Sequence, residues 1–316
     1  MSGRDIVIGV DTSNYTTSVG LIYTDGELLG NIKKPLAVKE GERGLRQSDA
    51  VFSHVKNMPS AMEDARRLLD GRTPVAVGVS SRPRNIDGSY MPCFLSGVAV
   101  AESISASLGV PLYRFSHQCG HIMSALYSSG LKCEDNMTFG AFHLSGGTTE
   151  LLHVTRSGPD FISRCVGGTK DLNAGQIVDR VGVYLGMPFP AGPHLELKAL
   201  GYDGEVQKKK PSVSGTFANL SGLENMAVDL YKRTDDVCHV AAFVFNYIAD
   251  SMILMCEEYL SIYGDMPLVF AGGVMCNSII RSKISARFDS YFAEPMLSAD
   301  NAVGIAELTR RAYLGL

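Results

Sequence analysis

Residues 5–23, DIVIGVDTSNYTTSVGLIY, and residues 138–154, TFGAFHLSGGTTELLHV, decide how this chain of 316 residues is read. Each opens with an apolar run of strand type, breaks at a short polar turn, and resumes as a second run. That is the pattern of a hairpin whose turn can reach a ligand. In the first segment, residues 5–10 and 18–23 read as strands and residues 11–14 as the turn. In the second, residues 138–144 and 150–154 flank the turn Ser145-Gly146-Gly147-Thr148. The shared polarity pattern implies an internal duplication of one α/β unit, with lobes over residues 1–134 and 135–316.

Outward from the hairpins, residues 58–69 and 96–108 read as helices, and residues 75–79 and 112–115 as buried strands. The second half adds helices at 176–185, 237–263 and 278–286, a strand at 267–271 and a closing helix at 301–313. Strands alternating with helices imply an α/β fold. In the long apolar helix, Ala241, Val244, Ile248, Met252, Met255 and Tyr259 recur at steps of three and four. Asn246, Asp250, Glu257 and Glu258 interrupt it, so it reads as a buried helix and not a membrane span.

Composition narrows the function classes. Hydrophobic residues are 45% and charged residues 20%, which excludes wholesale disorder. Lys plus Arg is 29 against 33 Asp plus Glu, a net charge of −4 that excludes a general nucleic-acid coat. The 7 cysteines are scattered without CxxC spacing, against a disulfide framework or a cysteine zinc site. No apolar signal segment opens the chain, so a cytoplasmic protein without membrane attachment is expected. The run Lys208-Lys209-Lys210 reads as part of a solvated loop over residues 201–214.

Three glycine turns carry the first chemistry. Gly146-Gly147 joins two strands, Gly272-Gly273 lies between a buried strand and a helix, and Pro190-Ala191-Gly192-Pro193 follows a helix. Paired glycines after buried strands leave backbone N–H groups free to approach a phosphate. Neither pair is a Walker A loop or a GxGxxG fingerprint. Asp179 and Asn277, on helices beside these turns, suit a ribose or base contact, or a capping role. The sharpest local signal is Ser116-His117-Gln118-Cys119-Gly120-His121. Ser116 suits an N-cap, and His117 and His121 then share one helix face, as two metal-binding imidazoles do. The Glu of HExxH is missing, so zinc-protease chemistry is not supported. Asp300, opening the closing helix, suits a third ligand or an N-cap.

The series VDTSNYTTSVGL, SHQCGH, LSGGTTEL, DLNAGQIVD, PAGP, SGTFANLSGLENMA, FAGGVMCN and SADNAVGIA resembles the threonylcarbamoyl-transferase family, the TsaD-like proteins once called O-sialoglycoprotein endopeptidases, in order and nearly in spacing. That family belongs to the actin-like, sugar-kinase and Hsp70 ATPase superfamily, so the resemblance implies two duplicated actin-like lobes with a central cleft. It implies that His117, His121 and Asp300 hold iron or zinc, and that Ser145, Gly146, Gly147 and Thr148, with Gly272 and Gly273, lie over nucleotide phosphates. Asp179, Gly192 and Asn277 match positions that hold the adenosine portion. The implied ligands are ATP or ADP, or threonylcarbamoyl-AMP, with Mg2+ accompanying the phosphates. The implied reaction moves the threonylcarbamoyl group from its adenylate to N6 of adenosine 37 of tRNA. Partner proteins of a tRNA-modification complex are implied as well.

The chain departs from the family at several places. The acidic pair usual in the first turn is replaced by Asn14, Tyr15 and Thr16, leaving Asp11 as the one carboxylate there and the candidate catalytic group. Cys119 replaces a Glu, residues 81–89 replace a shorter GPG loop, and Thr148 stands where His usually follows SGG. Two other readings stay open at this point: a carbamoyltransferase acting on a small molecule, and a nucleotide-binding subunit without catalysis.

Overall fold

In this computed structural model the described residues are 4–13, 15–37, 45–298 and 302–316, so Asn14 and Asp300 lie outside them. The first half forms β1 (Ile6–Thr12), β2 (Thr16–Tyr23), β3 (Leu28–Pro35), α1 (Gln47–Leu69), β4 (Ala76–Arg82), α2 (Phe94–Leu108), β5 (Leu112–Ser116) and α3 (His117–Ser129). There follow β6 (Thr138–Leu144), β7 (Thr149–Ser157), β8 (Asp160–Thr169), α4 (Ala174–Tyr184), α5 (Gly192–Leu200), β9 (Val213–Ser214), β10 (Phe217–Ala218) and α6 (Ser221–Thr234). The chain ends with α7 (Val237–Tyr263), β11 (Leu268–Ala271), α8 (Ser278–Ser285), β12 (Ser290–Phe292), α9 (Pro295–Ser298) and α10 (Ala302–Leu314).

Two sheets result, and they repeat one arrangement. The first has the order β3-β2-β1-β4-β5, and the second β12-β11-β6-β7-β8-β10-β9. In each, an antiparallel pair (β1 with β2, β6 with β7) is flanked on one side by two parallel strands. The duplicated hairpins therefore occupy equivalent places, and β9 and β10 extend the second sheet. The chain forms two compact units, residues 1–137 with 156–162 and 299–316, and residues 138–155 with 163–298. No single cut separates them, because α10 returns to the first sheet.

The strand β1 runs further than its polarity suggests. Asp11 pairs with Ser18 and Thr12 with Thr17, so both belong to the sheet and not to the turn. Each is buried because its polar atoms are answered: Ser80 and His117 bond the Asp11 carboxylate, and Thr12 Oγ1 donates to the Cys93 carbonyl at 3.0 Å. Helix α1 also starts earlier than expected, at Gln47, and continues through Pro59. Its buried stripe of Ala50, His54, Met58, Ala61 and Ala65 keeps helical spacing across the proline.

Each unit has its own core. In the first, Ile6, Ile8, Val10, Val19, Leu21, Val77 and Val79 pack with Met58, Ala61 and Ala65. The second is organised by α7, whose Phe243, Val244, Ile248, Met252 and Tyr259 are buried among β6, β11, α4, α5 and α8 residues. By length and composition α7 passes for a membrane span, but 67% of its apolar window is buried inside the unit, so it is a core helix.

Helix α10 lies on the first sheet with almost no side chains between. A Cβ on Gly9 or on Gly20 would stand 2.5 Å from the Ala302 carbonyl oxygen, and one on Gly78 would collide with Thr309. On the other side, Gly304 faces the Gly120 carbonyl of α3 with no room for a Cβ. Gly20→Ala is therefore expected to destabilise the fold by about 3 kcal/mol, since backbone cannot move aside as a side-chain end can. Gly222→Ala, on open helix surface, is expected to be neutral or slightly stabilising. Urea titration of both variants checks the contrast.

Candidate functional site

The first unit places an imidazole pair at the start of α3. Ser116 caps this helix, its hydroxyl accepting the Cys119 N–H at 3.1 Å. The cap starts the helix at His117, so His121 lies one turn on, and the two rings meet edge to face with centroids 4.7 Å apart. Asp11, at the end of β1, is buried and accepts a hydrogen bond from His117 Nδ1 at 2.9 Å and another from Ser80 Oγ. With its proton on Nδ1, His117 carries its lone pair on Nε2, the nitrogen a metal would take. A carboxylate behind a histidine is the usual second layer of a metal site. Among the described residues no cluster of three His, Cys, Asp or Glu side chains forms, and Asp300 falls outside them. The two imidazoles and the oriented tautomer fit a divalent metal.

The second unit gathers the glycine turns into one frame. Strand β11 pairs parallel with β6, Ala271 opposite His143, which brings Gly272 against Leu144 at φ 97°. A Cβ on Gly272 would lie 2.9 Å from the Leu144 nitrogen, so only glycine fits there. The turn at 145–148 is closed by Ser145 N–H donating to the Thr148 carbonyl at 2.7 Å. Gly175, at the start of α4, donates to the Ser145 carbonyl at 3.2 Å. Asp179 Oδ1 accepts the Ala191 N–H at 2.8 Å, tying α4 to the start of α5. Glu196 of α5 accepts from the Ser278 N–H at 2.7 Å and from its hydroxyl at 2.6 Å, tying α5 to the start of α8. Asn277 caps α8 through Oδ1, which accepts the Ile280 N–H at 3.0 Å.

Within this frame some groups remain unspent. Ser145 Oγ accepts the N–H groups of Gly147 at 3.3 Å and Thr148 at 3.1 Å, which occupies both lone pairs. Its own proton is left to donate, so the turn offers a hydroxyl and not the Gly147 amide expected from sequence. Asn277 Nδ2 is buried with no acceptor among the described residues. An orphan donor of this kind costs about 1–3 kcal/mol, which a bound acceptor would recover. Gly146, Gly147 and Gly273 have nothing within 4 Å of an added Cβ, whereas Gly192 touches only Val178.

Four contributors escape sequence reading. Ser80 and Glu196 act across 69 and 82 residues, and Gly175 matters only because α4 meets the turn. His54 had a local signal, a polar residue in the apolar stripe of α1. It is fully buried, bonding the Thr17 hydroxyl at 2.8 Å and the Ser13 carbonyl at 2.7 Å. Cys119 is structural, its thiol contacting Asn85 at 3.3 Å and held well above the ordinary range by burial.

The two repeated sheets define the class, the actin-like ATPase fold. Solved structures of that fold align over nearly the full chain. The ADPNP-bound activator of 2-hydroxyisocaproyl-CoA dehydratase from Clostridium difficile covers 97% of this chain and 95% of its own, at TM-score 0.54 and 13% identity. A ROK family glucokinase from Streptomyces griseus covers 97% and 99%, at TM-score 0.53 and 16% identity. At such identities the likeness shows the fold alone. Residues 49–307 match the sequence pattern of the tRNA N6-adenosine threonylcarbamoyltransferase family, and the chain belongs to that family of transferases. Proteins of that name from Streptococcus suis (strain 05ZYH33) and Methanopyrus kandleri are 28% and 25% identical to it. Each alignment spans 95% of this chain, and 90% and 86% of the respective relative.

The buried His54 yields a pH response. Burial is the first cause holding its pKa below the ordinary 6.5, with the Ser13 hydrogen bond and Asp11 opposing. The folded chain keeps it neutral while the unfolded chain takes up a proton, so its contribution is whole above about pH 6.5 and falls away below. His153, also lowered by burial, acts in the same direction. His54→Gln is expected to be less stable at neutral pH but to lose less melting temperature between about pH 7.5 and about pH 5. Equal acid slopes in the two proteins would remove His54 from the response.

Proposed function

We propose that the protein transfers a threonylcarbamoyl group from its adenylate to N6 of adenosine 37 of tRNA, in the cytoplasm and together with partner proteins. The observation that carries this reading is the Asp11–His117 hydrogen bond in a chain of the transferase family. A buried carboxylate spent on fixing one imidazole tautomer serves a reactive site and gives a passive subunit nothing.

In the transfer, the N6 amine forms a bond to the carbamoyl carbon, the carbon–oxygen bond to the phosphate breaks, and AMP departs while N6 gives up a proton. The frame of the second unit holds the adenylate. Ser145 Oγ–H donates to a phosphate oxygen, the open faces of Gly146, Gly147 and Gly273 admit the phosphates, and Asn277 Nδ2 meets an acceptor on the nucleoside. Asp179 and Gly192 line the adenosine side, Asp179 by setting the start of α5. Mg2+ would accompany the phosphates when ATP or ADP is bound. His117 and His121, with Asp300, would hold the iron or zinc. When bound, that ion supplies Lewis-acid polarisation of the carbamoyl carbonyl. Asp11 is then a positioning residue: it holds the proton on His117 Nδ1 and touches no substrate.

A second reading, the nucleotide-binding partner subunit, is favoured by the uncharged first turn, where Tyr15 is 50% exposed. Incubating the purified protein with threonylcarbamoyl-adenylate and unmodified tRNA, followed by nucleoside mass spectrometry, separates the two. The transferase reading expects modified adenosine from wild type, and a rate lower by about 10–100-fold in Asp11→Asn with iron or zinc content lowered in parallel. Wild type that binds nucleotide but leaves tRNA unmodified would support the subunit reading instead.

A further inference from the structure

The lysine run is exposed, as expected, and sits on an anchored loop. Between α5 and β9, the Gln207 N–H donates to His239 Nε2 at 3.3 Å and the Ser212 N–H to the Tyr247 hydroxyl at 3.1 Å. Arg233 donates to Gln207 Oε1 at 2.9 Å, and Tyr202 stacks on His239 with centroids 4.7 Å apart. The loop is thus pinned to α6 and α7 on both sides of the lysines. It borders an open cavity of about 660 Å³ with an apolar floor that includes Phe243 and Ile253 and a wall that carries Lys208, Lys209, Lys210, Lys283 and Arg287.

The charges in this cavity are unequal in kind. Lys283 is paired with Asp250 at 2.5 Å and bonds Asn246 at 3.1 Å, and Arg287 is paired with Glu257 at 2.9 Å. The three loop lysines are exposed and make no ion pair among the described residues. Three adjacent cations without ion-pair partners among the described residues thus stand on one anchored loop, with Asp203 and Glu205 preceding them in sequence. Lysine ammoniums are point charges without the planar fork that reads a particular group. Three in succession suit the regularly spaced phosphates of a nucleic-acid backbone, which are held without sequence readout. The position agrees with such a ligand. Lys283 lies on α8, the helix that Asn277 caps, about 9 Å along its axis at the usual helical rise. An RNA brought up to an adenylate held in that frame would carry its backbone past this cavity.

We infer that the cavity between the 206–211 loop, α7 and α8 is a landing groove for the sugar-phosphate backbone of the acceptor RNA, an inference that rests on the tRNA reading above. Binding of labelled unmodified tRNA to the full chain, followed by fluorescence anisotropy over a series of salt concentrations, tests it. Replacing the loop cations together by Lys208→Gln, Lys209→Gln and Lys210→Gln is expected to weaken tRNA binding by about tenfold or more at moderate salt. The slope of log Kd against log salt is expected to fall by about 2–3, roughly one for each phosphate no longer neutralised. Affinity for ATP and the melting temperature are expected to stay unchanged. An unchanged tRNA affinity and salt slope, in a protein whose wild type modifies tRNA, would overturn the groove alone. Loss of ATP affinity in the triple variant would assign the cavity to a free nucleotide and overturn it too. Wild type that neither binds nor modifies tRNA would overturn both the groove and the acceptor reading.

Discussion

Helix α10 rests on the first sheet through backbone, and the geometry of that unit depends on the contact. Gly9, Gly20 and Gly78 clear the space in which Ala302 and Thr309 sit, and Gly304 lets Gly120 of α3 approach from the opposite side. Backbone packed on backbone has no side-chain ends to adjust, so it fixes position closely. Two neighbours are fixed at once: the sheet whose first strand ends at Asp11, and the helix that begins at His117. The 2.9 Å hydrogen bond between those residues follows from the seat. Because the residues of the second unit come between β1 and α10, the first unit cannot be completed until α10 is present.

Glycine has two opposite uses here. Gly9, Gly20, Gly78, Gly175, Gly272 and Gly304 sit where a Cβ would strike the protein's own atoms. Gly146, Gly147 and Gly273 sit where a Cβ would strike nothing. The first group builds the two units. The second group lies on turns held in place by Ser145, Gly175, Asp179 and Glu196, so its open faces are presented on fixed backbone.

Much of this was legible in local sequence. The two hairpins, the Ser116 cap and the spacing of His117 and His121 depend on neighbours a few residues away, and the repeated order of the sheets follows from the duplicated hairpin pattern. Asp11 reads as a turn residue because a lone carboxylate belongs at the surface. The partners that bury it, Ser80 and His117, come from β4 and α3 and leave no mark in the local pattern. Helix α1 reads short because Pro59 signals a helix boundary, whereas the burial of Ala50, His54, Met58, Ala61 and Ala65 carries the helix through it. The lysine run reads as solvated and its three side chains are exposed, but the pinning of the loop leaves no local mark, because its anchors, His239 and Tyr247, lie on a helix that begins well after it.

The proposed nucleotide site requires the space above Gly146, Gly147 and Gly273. Calorimetric titration of ATP into wild type and Gly147→Val tests this most directly, because nothing in the protein lies within 4 Å of the added Cβ and the residue has no left-handed φ. The expected result is an affinity weaker by at least about tenfold, with the melting temperature of the free protein unchanged, since the branched side chain would fill space meant for phosphate. Equal affinity in the two proteins would contradict the nucleotide site, leaving the frame at Ser145 and Asn277 without a ligand.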